Sequence, residues 1–132
     1  MKVREYKESD LDRLKELYHN SGFDYYLPGM NEFFSKRVVD SPDGIAMAAF
    51  LKLNAEAYLI CDPKWRNPAW RMEALRQLES VCREDAVEKG AMEAVSFIPP
   101  QLNKTFGRRL SKMGWSPCRP EWQCYFKVIQ NG

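Results

Sequence analysis

A chain of 132 residues that is 45% apolar, 29% charged and 13% aromatic has the profile of one globular domain, which excludes a disordered segment and a small disulfide-stapled scaffold. Twenty basic residues are nearly balanced by eighteen acidic ones, and a net charge of +2 with a pI near 8.3 gives no whole-chain argument for nucleic acid, so any electrostatic specialisation is local. No apolar run approaches the roughly 20 residues of a membrane span, and the opening Met1-Lys2-Val3-Arg4-Glu5 has no secretory pattern, so the expectation is a cytoplasmic protein without a nucleic-acid or membrane partner.

In chain order, Lys2 to Tyr6 alternates apolar and charged residues as a short strand does. Ser9 supplies an N-cap with Asp12 three residues on, and Leu11, Leu14, Leu17 and Tyr18 form an apolar helical stripe that Gly22 ends. Phe23 to Met30 is broken by Pro28-Gly29 and reads as a loop, followed by a short helix from Asn31 to about Lys36. Val38 and Val39 precede the turn Ser41-Pro42-Asp43-Gly44, and Ile45 to Leu53 follows as the second strand of a hairpin. Asn54-Ala55 is a second tight connection into a strand from Glu56 to Cys61, giving a three-stranded meander whose long strands read as buried on both faces.

The next stretch, Cys61 to Arg71, is where an apolar strand stops, a short loop turns and a long helix begins. A helix start presents unpaired N–H groups and the positive end of the macrodipole, so it stabilises an anion placed there. This loop contains no glycine. Asn67 is the expected N-cap, Pro68 the first helical residue and Gly90 the residue past the end, for a helix of about 20 residues. Leu75, Leu78, Val81 or Cys82, and Ala86 mark its inner side, with Glu79–Arg83 and Asp85–Lys89 as outer ion pairs.

Met92 to Ile98 reads as a strand closed by Pro99-Pro100. Asn103 caps a further helix whose inner face is Phe106, Leu110 and Met113, and Gly114 ends it. Glu121 to Ile129 alternates Trp122, Cys124, Phe126 and Val128 with Gln123, Tyr125 and Lys127, the pattern of a last strand. The sum is a mixed α/β sheet flanked by helices. Cys61, Cys82, Cys118 and Cys124 lack the paired short spacings of a zinc site and His19 is the only histidine, so no metal is expected. Cys61 and Cys124 read as strand residues and Cys82 as a helix-face residue, all small reduced hydrophobes.

The order of these elements resembles the GNAT family of acetyl-CoA-dependent N-acyltransferases along nearly the whole chain. Val3-Arg4-Glu5-Tyr6 with Asp10-Leu11 is similar to the family's first strand and helix start. Tyr58-Leu59-Ile60-Cys61-Asp62-Pro63-Lys64-Trp65-Arg66 is similar to its fourth strand running into the pyrophosphate loop, and Asn103 through Met113-Gly114-Trp115 to a later asparagine-initiated helix. The resemblance implies a GNAT fold over residues 1–132 that binds acetyl-CoA in the cleft where the fourth and fifth strands splay apart. The implied cofactor-binding residues are Ile60, Cys61, Asp62, Arg66, Asn67, Ala69, Trp70 and Arg71, with Asn103 and Phe106 from the later helix.

Two departures stand out. The family's loop reads Gln or Arg, two variable residues, Gly, one variable residue, then Gly or Ala. Here Arg66 fits the first position, but Ala69 and Arg71 stand at the glycines. The glycines let phosphate approach the backbone, and Pro68 removes one donor. Arg71 either fills the space kept for pyrophosphate or grips it through its guanidinium. The family's general acid is a tyrosine at the position of Leu110, which transfers no proton; Tyr125 is the candidate replacement. Glu56 is the candidate general base, ahead of Glu93. The acceptor, a small-molecule or protein amine, would meet the loop holding Phe23, Tyr25 and Tyr26.

The resemblance therefore carries two functions. One is an active N-acyltransferase in which the amine attacks the thioester directly. The other is a catalytically inactive GNAT-fold protein with a structural or interaction role, similar to short phage-encoded chains found in virions. Either allows a homodimer or assembly through Trp122 and Tyr125 on an edge strand.

Overall fold

The computed structural model describes residues 1–23, 26–130 and 132. Its first sheet is antiparallel, in the order β1 (Lys2–Glu5), β2 (Ser35–Ser41), β3 (Gly44–Leu51). Val3 faces Val39, and Val39 faces Met47, with a register shift between Val39 and Asp40. The predicted hairpin is present, and the Ser41 hydroxyl donates to the Gly44 carbonyl at 2.7 Å across its turn.

One face of this sheet is covered by α1 (Leu11–Asn20). Leu14, Val38 and Ile45 form the buried centre, with Tyr6, Leu17, Ala48 and Phe50 packed around them. The other face leaves Val3, Met47 and Leu51 more than half exposed. The expectation of strands buried on both faces is thus corrected to one covered face: α1 packs over Leu14, Val38 and Ile45, while the residues of the other face stay exposed.

Arg4 ties three elements of this layer together. Its Nη1 and Nη2 donate to the two oxygens of Asp10, each at 2.9 Å, and its Nε donates to Asp40 at 2.9 Å. The Lys7 amide also donates to Asp10 at 2.8 Å. The chain therefore enters α1 through a 3-10 turn over Glu8–Asp10, with Asp10 rather than Ser9 organising the start. The short helix expected from Asn31 is a 3-10 turn over Met30–Glu32, after which β2 begins at Ser35.

The second sheet pairs β4 (Asn54–Glu56) with β5 (Glu93–Val95) in parallel, the connection between them containing α2 (Pro68–Glu88). The expected meander stops at β3: Asn54-Ala55 belongs to a strand rather than a turn, and the strand expected through Cys61 ends at Glu56. The Ala57 amide still donates to the Val95 carbonyl at 2.7 Å, so the pairing runs one residue past β4. Residues 58–61 carry no regular structure and Cys61 is an exposed free thiol.

The ends of α2 follow sequence chemistry closely. Asn67 Oδ1 accepts from the Trp70 amide at 2.8 Å, and Pro68 occupies the first turn. At the other end Gly90 takes φ +88°, the Gly90 amide donates to Val87 and the Ala91 amide to Ala86, both at 3.0 Å. This is a Schellman closure, in which a left-handed residue lets two terminal carbonyls find donors. Of the two predicted pairs, Glu79–Arg83 forms at 3.0 Å, whereas Asp85 and Lys89 make no ion pair among the described residues. The predicted inner side of α2 is only partly covered: Leu75 and Ala86 are half-buried, but Leu78 and Val81 are more than half exposed.

Residues 97–132 form a second compact unit, and residues 1–96 the first. The second unit holds α3 (Pro100–Lys112), closed by Gly114 at φ +92° with the Trp115 amide donating to Leu110 at 2.9 Å. Asn103 does not cap this helix, because Pro100 already occupies its first turn. The strand expected over Glu121–Ile129 is absent, and Cys124 is exposed. Alternation marks two faces but supplies no neighbouring edge, and a strand requires one.

Candidate active site

The candidate site is the passage from β4 to α2. Asp62 makes the first turn: its Oδ1 accepts from the Lys64 amide at 2.9 Å, and its carbonyl accepts from the Trp65 amide at 3.3 Å. Arg66 follows at φ +59°, a left-handed conformation that costs a non-glycine residue of the order of 1 kcal/mol. Its guanidinium carbon lies 5.5 Å from the centre of the Trp65 ring, a cation–π distance. The strained residue of this turn is Arg66, whereas Ala69 is an ordinary helical residue, so a glycine at 69, where the family has one, would not ease the turn.

Arg71 closes the loop from above. Its Nη1 donates to the Arg66 carbonyl at 2.8 Å and to the Trp65 carbonyl at 3.1 Å. The guanidinium therefore turns back onto its own loop and satisfies carbonyls that the tight turn leaves without backbone donors. Asn67, Pro68 and Arg71 act as one local device for starting α2.

That device alters the helix start as an anion site. Pro68 has no N–H, and the Trp70 amide is taken by Asn67. Among the first three helical positions, only the Ala69 amide has no bond among the described residues. Cations compensate: Lys64, Arg66 and Arg71 stand against Asp62 within residues 61–71. What this helix start offers an anion is side-chain charge and one amide, in place of a glycine-lined backbone cradle.

Of the predicted binding residues, the fold brings Arg66, Asn67, Ala69, Trp70 and Arg71 together at this start. Ile60, Cys61 and Asp62 lead into it as exposed, irregular chain. Glu56, the candidate base, is the last residue of β4 and is exposed. Beside it is a residue that sequence reasoning passed over. The Glu56 carboxylate, first as a hydrogen-bond acceptor and then through its charge, followed by burial, pushes the pKa of the Tyr58 phenol above the ordinary tyrosine value. The i, i+2 spacing was the available signal, since such residues share a face of extended chain. Lys64 was passed over too, although it is one of three cations in this loop.

Asn103, Phe106 and Tyr125 belong to the second unit. Asn103 sits inside α3, where its Oδ1 would lie 2.9 Å from a Cβ placed on Gly107. Phe106 and Leu110 are half-buried, and Tyr125 is 90% exposed in irregular chain. In the acceptor loop, Phe23 stacks on Tyr18 with ring centres 5.3 Å apart, Tyr26 is exposed, and Tyr25 lies outside the described residues.

A concavity of about 320 Å³ lies along β1 and β2 between Glu5, Tyr6, Phe34, Ser35, Lys36 and Arg37. The Tyr6 hydroxyl is buried without a hydrogen-bond partner among the described residues, and burial, then Glu8 and Asp10, raises its pKa. Among the described residues there is no cluster of three or more His, Cys, Asp or Glu suited to a metal, and no helix long and apolar enough to cross a membrane. Comparison with protein-family models, curated proteins and solved structures gives no match.

Proposed function

We propose that the chain is an acetyl-CoA-dependent N-acyltransferase of the GNAT type. The observation that carries this reading is the parallel β4–β5 pair bridged by a 21-residue helix whose start is a cation-rich, tightly turned loop. Ligands of open α/β sheets bind beyond the carboxyl ends of parallel strands, and this loop leaves β4 from that end.

In this reading Lys64 and Arg66 hold the pyrophosphate together with the Ala69 amide, and Arg71 keeps the loop carbonyls turned away from it. Acetyl-CoA supplies the activated acyl group when bound. Glu56 accepts the proton of the attacking amine, directly or through water. Tyr58, whose pKa the Glu56 carboxylate raises, takes the role of proton donor to the departing thiolate that Leu110 cannot fill.

Thermal unfolding with millimolar acetyl-CoA tests the reading. A rise of several degrees is expected, since a ligand of the native state adds stability, and Lys64→Gln with Arg66→Gln should abolish it. Release of free thiol from acetyl-CoA in the presence of amines should then depend on Tyr58, falling in Tyr58→Phe while the thermal shift stays. No shift overturns the proposal.

A second reading has its own support. The Arg71 guanidinium already serves the loop carbonyls and the helix start keeps a single open amide, which suits a non-catalytic GNAT-fold protein with a structural role, as in a phage virion. A thermal shift without thiol release, or no shift at all, favours it.

A further inference from the structure

The near-neutral charge of the whole chain conceals an uneven distribution. Residues 97–132 contain six basic residues and one acidic residue, Glu121, whereas residues 1–96 carry an acidic excess. Four of the six basic residues are on α3, which has no Asp or Glu at all. Lys104, Arg108 and Lys112 are spaced i, i+4, i+8 and so form one row, with Arg109 beside it. All four are exposed, and none makes an ion pair among the described residues. The opposite side of the helix carries the half-buried Phe106, Leu110 and Met113.

Like charges at i, i+4 repel along the row, and an anion lying along it relieves that repulsion. The row rises about 12 Å over eight residues, comparable with three or four phosphates at the roughly 3.4 Å spacing of a stacked strand. The same unit exposes aromatic rings: Phe97 is 71%, Tyr125 90% and Phe126 91% exposed, and Arg119 lies 4.8 Å from the centre of the Trp122 ring. Cations that follow a backbone, together with exposed aromatics on which bases stack, are the two ingredients of single-strand binding. An acidic polypeptide would use the cations and leave the rings without a function.

We infer that the C-terminal unit binds single-stranded nucleic acid, its phosphates along Lys104, Arg108, Arg109 and Lys112 and its bases on Tyr125 and Phe126. This is independent of acyl transfer.

Fluorescence anisotropy of the full chain with a labelled oligothymidylate of about 20 nucleotides tests it. Binding is expected to weaken with salt, with a log–log slope of roughly −3 for four phosphate contacts. The triple variant K104Q/R108Q/K112Q should bind at least about tenfold more weakly at low salt and flatten the slope by about 2, while its melting temperature is unchanged or higher because the repulsive row is gone. Tyr125→Ala with Phe126→Ala should weaken the oligonucleotide by about tenfold or more with the slope unchanged. No binding at about 50 mM salt, equal binding of the triple variant, competition by polyglutamate as strong as by the oligonucleotide, or equal affinity for a duplex would each overturn the inference.

Discussion

Two arginines show how differently the same side chain serves two regions of this molecule. Arg4, 19% exposed, joins β1 to Asp10 before α1 and to Asp40 on β2, residues six and 36 positions away. Arg71, exposed at its contacts, reaches carbonyls only five and six residues back. The first arginine assembles a layer from separate parts of the chain; the second completes a turn that belongs to one helix. Long-range ties in partly buried surroundings carry stability, and local ties in water carry shape.

The largest test of that contrast is Arg4→Met, which leaves the Asp10 carboxylate, 7% exposed, without its bidentate partner. A loss of about 3 kcal/mol in denaturant unfolding is expected. Equality with an ordinary surface substitution would remove the distinction. The acid limb of the stability curve reads the same node. Arg4, by hydrogen bonding, holds the Asp10 carboxyl down at about 2, so the stabilisation is complete above the unfolded value near 4 and is lost as pH falls toward 2. The amount at stake is about 2 kcal/mol, and Asp10→Asn should remove both the stability and this part of the pH dependence.

Smaller effects belong to the loop. Asn67→Ala removes the cap on the Trp70 amide and should cost about 1 kcal/mol. Arg71→Ala should cost less than about 1 kcal/mol, yet change the loop enough to accelerate amide exchange at Trp65 and Arg66. A loss as large as that of Arg4→Met would mean that the loop, too, is a long-range tie. The smallest effect is spectroscopic: in an ultraviolet titration the Tyr58 phenol should ionise above the ordinary tyrosine range, and Glu56→Gln should bring it down without changing the melting temperature.

How much was legible depended on how local the cause was. Asn67, Pro68 and Gly90 announced both ends of α2, and Ser41 to Gly44 announced the hairpin turn, because each of these signals acts within about four residues. Tyr58 escaped because its raised pKa comes from a neighbouring carboxylate rather than from its own position in a motif. The strand expected over Glu121–Ile129 failed because alternation describes a ribbon with two faces and says nothing of a partner.

By itself, then, the sequence determined the mixed α/β class, both ends of α2, the apolar stripe that carries Leu14, and the cationic character of the loop from Cys61 to Arg71. Tertiary structure alone decided that β4 leaves the meander to pair in parallel with β5, that Asp10 and Asp40 meet on Arg4, and that Arg71 turns back onto its own loop. Caps and turns are closed by neighbours in the chain, whereas strand partners and charge clusters are chosen among groups far apart in sequence, where only the folded chain sets which ones meet.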